Sequence, residues 1–78
     1  MKVDITTPDN KLFSGEANLV QLPGLDGSFE ILNHHAPMVS VLGMGKIKVI
    51  DTAKNVSYYE IKKGIVQVLN NTVVVLAE

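Results

Sequence analysis

The sequence has no cysteine, no arginine and no tryptophan. Without cysteine there is no disulfide, no thiolate metal site and no thiol nucleophile. Without arginine the chain lacks the planar fork that reads guanine edges or clamps phosphates in pairs. Its seven basic residues are all lysines, and eight acids bring the net charge to -1, so no strongly basic surface is available. Nucleic acid is therefore not an expected partner. Long apolar runs are also missing. The longest, Val73-Val74-Val75-Leu76-Ala77, is strand-sized and far below the roughly 20 residues of a membrane helix. Met1-Lys2-Val3-Asp4-Ile5 has no uninterrupted apolar stretch of the signal-peptide kind. The chain reads as a soluble intracellular protein that does not itself insert into a membrane.

What remains is 78 residues, 46% of them hydrophobic, which is enough for one domain over 1–78 and its core. No repeat, linker or low-complexity segment divides it. A domain of this size buries about 60% of the surface of its unfolded chain, with a typical stability of about 3–5 kcal/mol. A partner that binds only the folded form adds to that.

Valine and isoleucine dominate the apolar residues, and Gly, Pro, Asn or Asp interrupts the chain every few positions, leaving no window for a long amphipathic helix. The pattern predicts an all-β fold: a small flattened β-sandwich or barrel of about nine short, mostly antiparallel strands. Strands are expected near Val3 to Thr7, near Leu12 and Phe13 up to Gly15, over Glu16 to Leu22 and over Phe29 to Leu32. Further strands are expected over Met38 to Leu42, Lys46 to Thr52, Val56 to Ile61, Ile65 to Leu69 and Thr72 to Ala77. Pro8-Asp9-Asn10, Pro23-Gly24, Asp26-Gly27 and Ala53-Lys54-Asn55 read as turns. Asn70-Asn71, which tolerates the left-handed conformation, reads as a tight hairpin. At Asn33-His34-His35-Ala36-Pro37 the proline cannot donate to a ladder and the chain must bend.

His34 and His35 are the most evident candidates for chemistry, but neighbours in an extended segment point to opposite faces and do not share a metal. The acids fall in turns or on solvent faces instead of converging as an acid/base pair. Ser14, Ser28, Ser40 and Ser57 lack a nucleophile-elbow context, and Gly43-Met44-Gly45 precedes no helix that could bind phosphate. No catalytic residue, metal or cofactor is expected. Leu25 and Phe29 beside Asp26-Gly27, Met38 after the proline and Met44 between glycines fall where the chain bends. Either they cap the ends of the barrel or they form an exposed patch for a protein partner.

Phe13-Ser14-Gly15, Leu22-Pro23-Gly24 with Gly27, His35-Ala36-Pro37, Gly64-Ile65-Val66-Gln67-Val68 and Val73-Val74-Val75-Leu76-Ala77 follow in an order and spacing that resembles one known series. It is the N-terminal β-sandwich of the epsilon subunit of F-type ATP synthases, and the resemblance spans essentially the whole chain. It implies a non-catalytic central-stalk (rotor) subunit of a bacterial, proton-translocating enzyme. Such a subunit joins the gamma subunit to the c-ring and couples proton flow to ATP synthesis, peripherally on the cytoplasmic face of the inner (plasma) membrane. By position, the resemblance implies a gamma-facing surface of Thr7, Leu12, Phe13, His35, Val39 and Ser40. It implies a c-ring-facing turn of Asp26, Gly27, Ser28, Phe29 and Glu30, with His35-Ala36-Pro37 shaping the corner between them. The family often has a carboxylate where this chain has Ser28, leaving Asp26 and Glu30 as the acids of that turn. It commonly has Pro-Gly where this chain has Asn33-His34, so the backbone of the corner is expected to differ. Typical members continue into two helices that inhibit hydrolysis and in some bacteria bind ATP. This chain stops at Glu78, so coupling without helical inhibition and without nucleotide is expected. The competing reading is a stand-alone β-sandwich that binds a small ligand or peptide in a concave pocket at Asn33 to Pro37.

Overall fold

Val3 and Ile5 lie two residues apart and are both β-branched, so an extended chain puts them on one face. They form the inner side of the first strand, β1 (Lys2–Thr6). The same alternation builds the rest of the chain in the computed structural model, which describes all residues 1–78 and contains no helix. The strands are β2 (Lys11–Gly24), β3 (Gly27–Leu32), β4 (Met38–Leu42), β5 (Gly45–Asp51), β6 (Val56–Ile61), β7 (Gly64–Leu69) and β8 (Thr72–Ala77).

The pairings divide into two layers that share β2. In one, the first part of β2 pairs with β1, β1 runs parallel to β8, and β8, β7 and β4 follow as antiparallel neighbours. In the other, the second part of β2 lies between β3 and β5, and β5 pairs with β6. Gly24 opposite Leu42 ties the end of β2 back to β4. The inward side chains of both layers merge into one core of 16 buried residues, all apolar. Phe13 and Tyr59, 6.4 Å between ring centroids, pack against this core from β2 and β6.

Eight strands form in place of about nine because β2 absorbs two of those expected. Gly15 does not end a strand. It pairs with Val3, and the nearest group to a side chain placed there is the Phe13 ring at 3.6 Å. The strand passes between layers by a bulge: its register with β5 shifts between Ala17 and Leu19. The extra residue reverses which positions face inward, so Ala17 is buried on one side of the bulge and Val20 and Leu22 on the other.

The strand also runs through Pro23-Gly24, where a turn was expected, and the reversal is Leu25-Asp26, followed by Gly27 at φ 122°. Pro23 is tolerated because its carbonyl accepts from Gly43 N at 2.8 Å. On its other edge Pro23 keeps Ser28 of β3 as its cross-strand partner. The Asn70-Asn71 hairpin forms as expected, with φ 50° and 57°.

Strand direction sorts the connections into two ends. Turns 7–10, 25–26, 43–44 and 62–63 lie at one end, and the corner 33–37, the loop 52–55 and the turn 70–71 at the other.

Candidate interaction surfaces

The outer face of the first layer is apolar on β4, β7 and β8. Register places Val41 beside Ile65 and Ile65 beside Leu76 in one row, with Val39, Gln67 and Val74 in the next. Val39, Val41, Ile65, Leu69, Val74 and Leu76 are all exposed, a grouping that water does not favour on a surface. β1 closes this patch with a polar strip of Lys2, Asp4 and Thr6. There Asp4 Oδ1 accepts from Ser14 Oγ at 2.7 Å and lies 3.9 Å from Lys11 Nζ. Where the two strips meet, Thr6, Thr7, Pro8, Val41, Ile65 and Leu76 line an open hollow of about 570 Å³.

A second apolar row crosses the outer face of the other layer. Leu32, Leu19, Ile50 and Val56 are successive cross-strand neighbours on β3, β2, β5 and β6. The rows beside it are polar: Glu30, Gln21 and Lys48 end at Tyr58 in the next.

The expected gamma-facing residues do not share one face. Val39 lies in the apolar patch and Thr7 lines the adjoining hollow. Phe13 and half-buried Leu12 pack against the core. Ser40 alternates to the other side of β4 from Val39 and borders the hollow at the 25–29 turn. His35 stands at the opposite end, its Nδ1 2.7 Å from Ala36 O. Val41, Ile65, Val74 and Leu76 complete the patch and were not among the expected residues. For Val74 and Leu76 the signal was the run Val73 to Ala77, which is apolar at outward as well as inward positions, as in a strand covered on both faces; Val41 and Ile65 lie outside it.

In the expected ring-facing turn, Asp26, Gly27, Ser28 and Glu30 are exposed while Phe29 packs inward against the core. A side chain at Gly24 would lie 2.7 Å from Gly27 O and 2.9 Å from the Phe29 ring, so this hairpin closes only on glycine. Of the apolar residues at the bends, Leu25 and Met44 are exposed, and Phe29 and Met38 pack on the core.

The corner is pinned by hydrogen bonds. His34, at φ 62°, donates its N–H to Asn71 Oδ1 at 2.7 Å, and Asn33 Oδ1 accepts from the α-ammonium of Met1. Hollows of about 570, 520 and 410 Å³ lie at the other end of the molecule. No group of three or more His, Cys, Asp or Glu side chains is arranged to hold a metal ion.

The sandwich thus carries one exposed apolar patch, one apolar row on its other layer, a polar strip and a glycine-closed turn. The model of the ATP synthase delta/epsilon chain β-sandwich domain matches residues 1–78, and the chain belongs to that family. It is 39% identical to an ATP synthase epsilon chain of Chlorobium limicola over 99% of its own length and 88% of that protein. To the epsilon chain of Salinibacter ruber it is 38% identical, covering 58% of that longer protein. Among solved structures it is similar to a chain of the Tetrahymena thermophila mitochondrial ATP synthase central stalk and c-ring, with a TM-score of 0.86 and 25% identity over 99% of this chain and 62% of that one. A chain of the Euglena gracilis mitochondrial enzyme shares the fold, with a TM-score of 0.88 at 19% identity, over 96% of this chain and 48% of that one.

Proposed function

We propose that this chain is a rotor component of an F-type ATP synthase, joining the gamma subunit to the c-ring and carrying torque between them without catalytic groups of its own. Membership of the delta/epsilon family supports the assignment. The observation that carries it is the apolar patch of Val39, Val41, Ile65, Val74 and Leu76, which fits a stable apolar partner surface. Gamma covers this patch, with Thr7 and the β1 strip at its polar rim. The Asp26–Glu30 turn, at the end of the sandwich, meets the polar loops of the c-ring. The subunit is held at the cytoplasmic face of a bacterial membrane through the assembly. A two-layer sandwich closed around one core suits the task, because close-packed interiors transmit strain with little compression.

The test is a pull-down from gently solubilised native membranes with the tagged chain, retained proteins being identified by mass spectrometry. Recovery of gamma and c subunits is expected. Failure to recover either, with the chain folded by circular dichroism, would overturn the assignment.

A further inference from the structure

The two most exposed large apolar side chains in the protein are Met44, at 81%, and Leu25, at 70%. They lie on different loops at one end of the sandwich, and the loops are fastened together. Gly43 N donates to Pro23 O at 2.8 Å, and Gly24 pairs with Leu42. A side chain at Gly43 would stand 3.3 Å from Leu25 Cδ2, and one at Gly45 only 2.7 Å from Pro23 Cβ. The 43–45 joint therefore lies directly against the β2–β3 hairpin, and its glycines permit the approach. A single exposed apolar side chain is ordinary; two on adjoining, mutually braced loops are a feature of contact surfaces.

We propose that Leu25 and Met44 together form the apolar anchor of the ring-facing end, seated on the loops of the ring subunits beside the Asp26–Glu30 turn. The proposal rests on the rotor reading and adds a second loop to the ring-facing surface. Leu25 lines one hollow with Asp26, Gly27 and Ser28, so the apolar side chain and the polar turn share one surface. Lys46, Glu60 and Lys62 border Met44 and give the pair a polar rim, the pattern of an apolar centre with a solvated edge. Lys46, Lys62 and Lys63 are matched by Glu60, Glu78 and Asp26, with Lys63 and Glu78 3.8 Å apart, so this end has no cationic excess to draw it onto anionic lipid. A protein loop is the occupant the charges favour.

The chain has no cysteine, so each position can be labelled singly in the purified chain before it is reassembled with the other subunits. Leu25→Cys, Met44→Cys, Asp26→Cys and, from the opposite end, Lys54→Cys are each coupled to a short photoactivatable maleimide. Adducts with the ring subunit are expected from positions 25, 26 and 44 and not from 54. Adducts from 26 alone would overturn the anchor while leaving the rotor reading intact. No adduct from any of the three would overturn the rotor placement itself, and lipid adducts from 25 and 44 would replace the ring by the membrane surface as occupant. As a second readout, Leu25→Ser combined with Met44→Ser should weaken association with the ring by about tenfold, as loss of an interface anchor does, with gamma binding and circular dichroism unchanged. Unchanged ring association would refute the proposal.

Discussion

Leu76 and Val75 are neighbours on β8 and point to opposite faces, so replacing each in turn separates docking from folding. Leu76 is 57% exposed in the apolar patch, whereas Val75 is fully buried in the core. Full burial of a leucine side chain is worth about 1.5–3 kcal/mol. At the observed exposure, Leu76 has about 0.9–1.7 kcal/mol left to gain from a partner. Leu76→Ser should therefore raise the Kd for purified gamma subunit about 4- to 16-fold. The fold should lose the part of Leu76 already covered by its neighbours Ile65 and Thr6, about 0.6–1.3 kcal/mol. Val75→Ala removes buried methyl groups and leaves a cavity, at a cost of about 2 kcal/mol. In a domain of this size that lowers Tm by about 8–16 °C. The Val75→Ala protein should nevertheless bind gamma normally at a temperature where it is folded. Titration calorimetry with gamma and thermal melts of both variants provide the measurements. If Leu76→Ser binds gamma as tightly as the parent, or if the two variants melt alike, the division of β8 into a docking face and a core face is refuted.

Gly24→Ala drives a methyl group against Gly27 O and the Phe29 ring and should cost about 1–3 kcal/mol, whereas Gly15→Ala meets nothing closer than 3.6 Å and should be tolerated; equal melting temperatures for the two would contradict this. Asn71→Gly keeps the left-handed turn but removes the acceptor of the His34 N–H, and a loss of about 1 kcal/mol is expected, with faster amide exchange at His34. Unchanged exchange there would mean that Asn71 does not pin the corner. In the β5–β6 loop, Asp51 accepts backbone bonds from Asn55 and Ala53 and a side-chain bond from Asn55. The Asn55 N–H is the main reason its carboxyl titrates below its ordinary value of 3.8. Because the folded pKa is the lower one, this stabilisation is complete above the unfolded pKa and fades as pH falls below it through the folded value. The Tm difference between the parent and Asp51→Asn should be constant near neutrality and shrink in acid below pH 3.8; a gap that widens there would reverse the sign.

Local pattern alone determined much of this protein. Alternating valines and isoleucines specify strands whatever surrounds them, Asn70-Asn71 specifies a left-handed hairpin, and the missing cysteine, arginine and long apolar runs restrict the chemistry open to the chain. The ordered motifs from Phe13-Ser14-Gly15 to Val73–Ala77 carry the family. Three features depended on tertiary structure. Gly15 and Pro23 look like breaks, yet β2 runs through both, because Gly15 has a partner in Val3, and Pro23 has one in Ser28 while its carbonyl accepts from Gly43 N. The Ala17–Leu19 bulge changes which residues face inward, and a strictly alternating reading has no means of locating it. The exposed apolar surfaces were the least legible, since Val41, Ile65 and Leu76 are far apart in sequence and become one row only through the registers of β4, β7 and β8. Likewise, the sequence left open whether Leu25 and Met44 cap the barrel or lie exposed, and the structure leaves both in solvent on loops braced by the Gly43–Pro23 bond. Period and turn chemistry are properties of a few adjacent residues, but register and loop contact depend on how distant segments meet.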